Sequence, residues 1–416
     1  MSNPYKRTKL ACYTAYFTMA SVFSLPPLLF VTLREQYQIP YTLLGTLVLV
    51  NFCTQLAVDL LFTAFGGRFS PKTIVKVMPL VTTVGLLTYA WVPTLFPQFA
   101  YGGLVLGTVI FSVAAGLSEV LLSPVIAAIP SDTPQRDMSM LHSLYAFGVL
   151  SVVVFSTLFL RVFGEQYWMI LTTILACTPI LAAVLFMTAP MPDLTAHSAT
   201  DTPKTKGAGR GVRLALCVCC IFFGSCAENA MSNWISGYME RALHIPKTVG
   251  DMLGMAVFAV LLGLVRIGYA KFGKSILPVL LVGMMGAVAC YLTAGLSDGV
   301  VVPFVACILT GVFTSMLWPG TLIMMEETVP GVGVAAFALM AAGGDLGASV
   351  APQLMGIVVD AVSAAPATAE LAQQFALTPE QIGMKAGMLV SALFPLAGTV
   401  VVLLIMRTVK GSKQSV

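Results

Sequence analysis

The sequence predicts an all-α membrane protein of twelve transmembrane helices, folded as two pseudo-symmetric six-helix bundles. Three observations predict it: charge is scarce, apolar stretches of about twenty residues recur from Leu10 to Met406, and one polar interruption divides them six and six. Charged residues make up 10% of the 416 and apolar residues 58%, where an ordinary soluble domain carries about 25% charge. A water-soluble surface cannot be built from that composition, so the solvent for most of the chain is lipid.

The first span, Leu10–Leu33, follows Lys6, Arg7 and Lys9. That order imitates a secretory signal, but the apolar run has full span length and lacks a convincing cleavage site, so an uncleaved first helix is expected. Thr42–Phe65, Ile74–Val92, Tyr101–Ile129, Met138–Leu160 and Tyr167–Ala189 complete the first half. Leu214–Met239, Thr248–Tyr269, Ile276–Leu296, Val301–Met325, Val334–Asp360 and Gly387–Met406 make the second. The outer stretch from Ala361 to Lys385 is read as holding a short external helix.

Basic residues resist translocation, so their distribution orients the chain. With both termini inside, 16 of the 22 Lys and Arg fall on the cytoplasmic side, five fall outside (Arg34, Arg161, Arg241, Lys247, Lys385), and Arg266 lies within a span. The expected location is a bacterial cytoplasmic (inner) membrane, crossed many times, with both termini cytoplasmic. The net charge of +4 then reflects orientation and contact with anionic lipid. No basic cluster with interleaved aromatics points to nucleic acid. The expected partners are a small-molecule solute and membrane lipids, and the chain is expected to act as a monomer.

All nine cysteines lie in or beside spans, which gives no disulfide framework. Cys217, Cys219 and Cys220 would need a fourth ligand and water to hold zinc, so they read as small packing residues and no metal is assigned.

Between Met191 and Arg213 the composition turns to Asp, Thr, Ser, Gly and Lys, as in a flexible linker. The expected division is an N-terminal bundle over 1–189, a cytoplasmic linker over 190–213 and a C-terminal bundle over 214–416. The halves share landmarks. QIPYT at Gln38–Thr42 precedes the second span and HIPKT at His244–Thr248 the eighth, 206 residues apart. Gly116 with Pro124 matches Gly311 with Pro319 at an offset of 195, which also carries Gly148 onto Gly343. Three matches in the right order favour duplication.

Six-plus-six halves, cytoplasmic termini and a central linker together resemble the major facilitator superfamily. Its signature turn between spans two and three corresponds here to Gly66, Gly67, Arg68, Phe69, Ser70, Pro71 and Lys72, with Gly67 where an Asp is usual. The matching turn Lys271, Phe272, Gly273, Lys274 keeps the basic residues and also lacks the acid. Within the superfamily, Ser118, Glu119, Val120, Leu121, Leu122, Ser123 and Pro124, then Leu141, His142, Ser143, Leu144 and Tyr145, resemble the fucose-proton symporter branch and its bacterial relatives. The resemblance implies alternating access, a central cavity lined by spans one, four, seven and ten, and a membrane acid in span four.

An ionised side chain near the bilayer centre costs ~2.5–3.5 kcal/mol, so each one in a span needs a reason. Five are clear: Asp59, Glu119, Glu228, Arg266 and Asp345. Glu119, between Gly116 and Pro124, is the expected proton carrier, because a carboxyl wetted in one conformation and dry in the other binds and releases a proton. The alternative is a protonated Glu bonded to a neighbouring helix. Span seven places Glu228 over Ser232 and Asn229 over Asn233. Carboxylates and amides bond hydroxyls in pairs while an indole stacks on a ring's CH edge, so Glu228, Asn229, Asn233 and Trp234 are candidate substrate contacts, with Trp318 as a second wall. The alternative is polar glue between helices.

The 206-residue offset maps Asp59 to one position short of Arg266, which suggests a gating pair between them, with Arg68 as a further gating candidate. The alternative is separate local pairing of each. Asp345, in the small-residue run Ala341–Gly347, is a second proton site or a partner for Arg266. His142 could titrate or simply be a satisfied polar residue. The 22 methionines read as flexible packing and imply no cofactor. No Walker-type phosphate loop is present, so energy is expected from an ion gradient, the proton gradient first.

The expected function is therefore a secondary transporter moving a small polar solute, a sugar among the candidates, with proton coupling. An uncoupled facilitator and a proton-driven exporter are the near alternatives. An enzyme is not expected, because the three histidines (His142, His197, His244) sit in different regions and form no catalytic spacing. A receptor would normally append a soluble domain.

Overall fold

In lipid, backbone N–H and C=O groups must be satisfied within the segment, which leaves helices as the economical way for these apolar runs to cross. The computed structural model describes residues 4–65, 70–131, 134–192, 210–273, 275–329 and 334–414, and over them the chain is all-helical. The helices are α1 (Lys6–Tyr37), α2 (Tyr41–Phe65), α3 (Pro71–Leu95), α4 (Ala100–Ala127), α5 (Pro134–Phe163), α6 (Trp168–Thr188) and α7 (Arg210–Arg241). Then come α8 (Lys247–Val249, a π-helical segment Gly250–Ala256, and Val257–Phe272), α9 (Ile276–Leu296), α10 (Val301–Thr314 and Leu317–Thr328), α11 (Val334–Ala364) and α12 (Pro379–Ser391 and Leu393–Gln414). Eleven are long and apolar enough to cross a membrane, and α5 is the twelfth, with its apolar described part at Phe147–Phe163.

The chain packs as two compact units, Met1–Ile39 with Val50–Thr200, and Pro40–Leu49 with Asp201–Val416. In the first, Trp168 is fully buried and donates from Nε1 to Gln36 Oε1 at 2.8 Å, while its ring meets Tyr89 edge-on. Hydroxyls are disposed of by bonding back to the preceding turn, as when Thr108 donates to the Leu104 carbonyl at 2.8 Å. The first turns of α2 belong to the second unit, where the Thr42 N–H donates to Asp360 at 2.5 Å and the Tyr41 hydroxyl to Glu380 at 2.8 Å.

Both units are held by the same device. In the first, α5 lies so close to α1 that a Cβ on Gly148 would strike the Phe17 carbonyl; in the second, α11 meets α7 where a Cβ on Gly347 would strike the Phe222 carbonyl. Gly343, the residue matched to Gly148 in the sequence, faces Val218 one turn away. Likewise Gly116 brings α4 to Val58 of α2, and Gly311 brings α10 to Phe258 of α8.

Towards the C-terminus the structure agrees with the sequence reading on one element and differs on one boundary. A short helix does form outside the spans, at Pro366–Phe375. However, α12 starts at Pro379 rather than Gly387, because Thr378 and Gln381 close a capping box there. Lys385 is thereby a helical residue, donating to the Ser297 carbonyl at 2.6 Å. Arg68 and most of the 190–213 linker lie outside the described residues, as does the side chain of His142.

Candidate functional site

In the first unit, a polar ladder runs along α2. Asn51, Gln55 and Asp59 are spaced by four and so share one face. Asn51 Oδ1 accepts from Ser112 of α4 at 2.6 Å and from Gln55 at 3.0 Å, with all three side chains buried. A turn further, Gly116 lets the helices touch: its missing Cβ would lie 3.1 Å from Val58 Cβ and 3.3 Å from Gln55 Cα. One turn beyond that contact stand Asp59, half-buried, and Glu119, exposed, close enough that their charges act on each other. Ser118 turns the other way and bonds back to the Ala114 carbonyl at 2.8 Å. Asn51, Gln55 and Ser112 are polar but uncharged and so do not stand out among apolar neighbours, although the four-residue spacing ending on Asp59 marks a polar face.

In the second unit, a proline decides the arrangement. Pro319 has no N–H, so the carbonyl of Ser315, four residues earlier, loses its helical donor where α10 breaks. Arg266 of α8 supplies the missing donor: its Nε–H reaches Ser315 O at 2.8 Å. Its Nη2 donates at 3.3 Å to each carboxylate oxygen of Glu228 on α7. An arginine in a membrane helix is thus compensated twice, by an orphan acceptor and by a counter-charge. Within its own unit Arg266 is thus partnered by Glu228, and within the other Asp59 stands near Glu119.

The two positions are nevertheless matched. A π-helical turn closes i to i+5 and accommodates one inserted residue. With the π-helical segment Gly250–Ala256 counted, Asp59 in the uninterrupted α2 maps onto Arg266 itself.

On α7, Asn229 donates to the carbonyl and hydroxyl of Ser225 at 3.1 and 3.2 Å, and Asn233 donates to the Asn229 carbonyl at 2.9 Å. Glu228, Asn229 and Ser232 are partly exposed, whereas Asn233 is buried. Trp234 departs from its expected role as a substrate contact. It is 1% exposed, its Nε1 donates to Pro352 O of α11 at 3.1 Å, and Tyr41 packs edge-on to its ring at 5.3 Å. Trp318 is partly exposed and lays its ring across Gly344, next to the buried Asp345. A further membrane acid, Asp251, is 1% exposed in the π-helical segment and accepts from Ser236. Lying near the start of a span, it escaped the sequence reading.

Among the described residues no group of three or more His, Cys, Asp or Glu is placed to hold a metal ion. Cys217 and Cys220 are buried free thiols and Cys219 is exposed.

The family model for the Major Facilitator Superfamily matches residues 12–352. The chain belongs to the major facilitator superfamily. Solved structures of low identity share its fold. A bacterial homolog of the human lysosomal transporter Spinster, inward-facing and occupied, is 15% identical over 98% of both chains with a TM-score of 0.75. A D-xylose-proton symporter is 15% identical over 94% of this chain and 96% of its own, with a TM-score of 0.74. The E. coli fucose:proton symporter is 14% identical over 96% and 99%, with a TM-score of 0.58. No curated protein matches the sequence. The chain is a multi-pass membrane transporter.

Proposed function

We propose that this transporter is proton-coupled and moves a small polar solute, with Glu119 as the proton carrier. The observation that carries the reading is the meeting of two carboxylates, Asp59 and Glu119, in membrane-spanning helices of one unit, with Glu119 exposed. Two acids at one place in a low-dielectric setting take up a proton rather than hold two charges. The buried Asn51–Gln55–Ser112 network fixes α2 against α4, so the acids are held in place while the proton enters and leaves. Asp345 is the second proton site to test. Glu228, Asn229 and Trp318 offer a carboxylate, an amide and a partly exposed ring to a hydroxyl-bearing solute, and the basic-residue count puts both termini in the cytoplasm. Solved relatives of the same fold include fucose and xylose proton symporters by name, which makes sugars the first class to try.

The test is internal pH in proteoliposomes of the purified protein during addition of hexoses, deoxyhexoses, disaccharides and unrelated solutes. Internal acidification by one solute, lost in Glu119→Gln while solute exchange persists, is the expected result. Uphill proton-driven uptake retained in Glu119→Gln would remove Glu119 as the carrier, and uptake without acidification would make the protein a facilitator.

A further inference from the structure

The feature that the proton reading does not use is the guanidinium of Arg266. Its Nε is committed to Ser315 O at 2.8 Å, while Nη2 straddles the two Glu228 oxygens at 3.3 Å each. Charge-assisted contacts of this kind close to about 2.7–2.9 Å when they are fully made, so the pair is slack. Among the described residues, Nη1 has no acceptor, and the Arg266 side chain is 39% exposed. An arginine carries five donors in a planar fork that fits a carboxylate in two parallel bonds. Here one edge of that fork is pinned by the broken α10, and the other is held loosely and open.

The same unit carries groups of the kind that the rest of such a ligand needs. Asn229 follows Glu228 directly and is partly exposed, with a side-chain oxygen to accept a hydroxyl. Trp318, also partly exposed, stands three residues after the Ser315 carbonyl that holds Arg266.

We infer that Arg266 is the receptor for a carboxylate on the transported solute, so that the substrate class is hydroxylated organic acids, such as sugar acids, rather than neutral sugars. The inference rests on the proposed transport of a polar solute and narrows it. Glu228 is the resident partner of the guanidinium: it neutralises Arg266 when no solute is bound, and the solute carboxylate takes up the open donors beside it. A neutral sugar would leave those donors unmet, which penalises it. The consequence for energetics is direct, since a monocarboxylate carried with one proton moves no net charge, whereas a neutral sugar carried with one proton moves one.

Binding separates this inference from proton coupling because it needs no gradient. Isothermal titration of the purified protein is made with D-glucuronate, D-gluconate and lactate, and with D-glucose and L-fucose as the neutral probes. The expected result is saturable binding of at least one acid, weakened at least tenfold in Arg266→Gln and partly restored in Arg266→Lys, with the neutral sugars at least tenfold weaker. Each variant is checked for a single monodisperse peak and for its melting temperature, and Arg266→Lys keeps the test open if Arg266→Gln does not fold. Neutral sugars binding as tightly as the acids, acid binding undiminished in Arg266→Gln, or no acid binding at all would overturn the inference. In proteoliposomes, acid uptake should be indifferent to an imposed membrane potential; if binding holds and internal acidification is absent, the coupling proposal fails while this one stands.

Discussion

Asp59 and Arg266 occupy matching places in the two halves, one turn from the contact between the second and fourth helix in one case and beside the break of the fourth helix in the other. The first half fills the place with an acid facing another acid, Glu119; the second fills it with a base that binds an acid and a carbonyl. What differs is therefore charge rather than scaffold. The glycine contacts that seat α5 on α1 and α11 on α7 are the same device in both, while the polar residues at the matched place diverge. The lesson is that two halves built on the same helix contacts can carry opposite charges at matched positions, one for protons and one for anions in the reading given above.

The comparison can be broken most forcefully at the shared frame. Gly148→Val and Gly347→Val each push a branched side chain into a backbone carbonyl of the neighbouring helix, and each is expected to destabilise by up to about 3 kcal/mol, read from thermal unfolding in detergent. A large effect in one unit and none in the other would end the claim that the two are built alike. The divergent charges come next. Arg266→Met leaves the Ser315 carbonyl and the Glu228 carboxylate unserved, and should cost about 1–3 kcal/mol. Adding Glu228→Met should recover part of that loss, since an apolar pair replaces a stranded charge; if the double variant is no more stable than the single one, the pair is not what compensates Arg266.

The smallest effect sits at the first turn of each unit. Arg213 of α7 donates to the Thr328 carbonyl at 3.1 Å, while Lys9 of α1 pairs with Asp137 at the start of α5, where Tyr13 and Ser131 also bond. Burial pushes the Asp137 carboxyl up, but hydrogen bonds from Lys9 and Ser131 and the Lys9 charge outweigh it and hold it below the usual carboxylate range. Because its folded value is depressed, the pair's contribution is fully present above the unfolded value of about 3.9 and is lost as pH falls through the folded one. It should be about 0.2–1 kcal/mol. Asp137→Asn is expected to lower the melting temperature at pH 7 and to be indistinguishable from the parent at the lowest pH both survive; the Arg213 contact, whose acceptor is a carbonyl, should show no such dependence.

Much of this was legible in the sequence for a physical reason: lipid tolerates few charges and few breaks, so spans, halves and the Glu119 position follow from where apolar runs stop and acids intrude. Pairings between helices were less so. Spacing along α7 correctly puts Asn229 and Asn233 on one face, but Trp234, a further ~100° around, turns onto α11. The Arg266–Glu228 pair joins residues 38 apart on different helices, which no periodicity reports. Pro319 was the overlooked clue, since a proline in a membrane helix announces an orphan carbonyl and hence a donor somewhere nearby.

The π-helical segment at Gly250–Ala256 sets the register of everything that follows it in α8. An extra residue in an ordinary helix would swing everything after it by ~100° and set new side chains against the neighbours. Absorbed in a wide turn, the insertion leaves the later part of α8 aimed as α2 is aimed. Arg266 and Asp59 then stand at the same helical position of the second helix in each half, and the two halves differ there in the side chain carried rather than in the register along the helix.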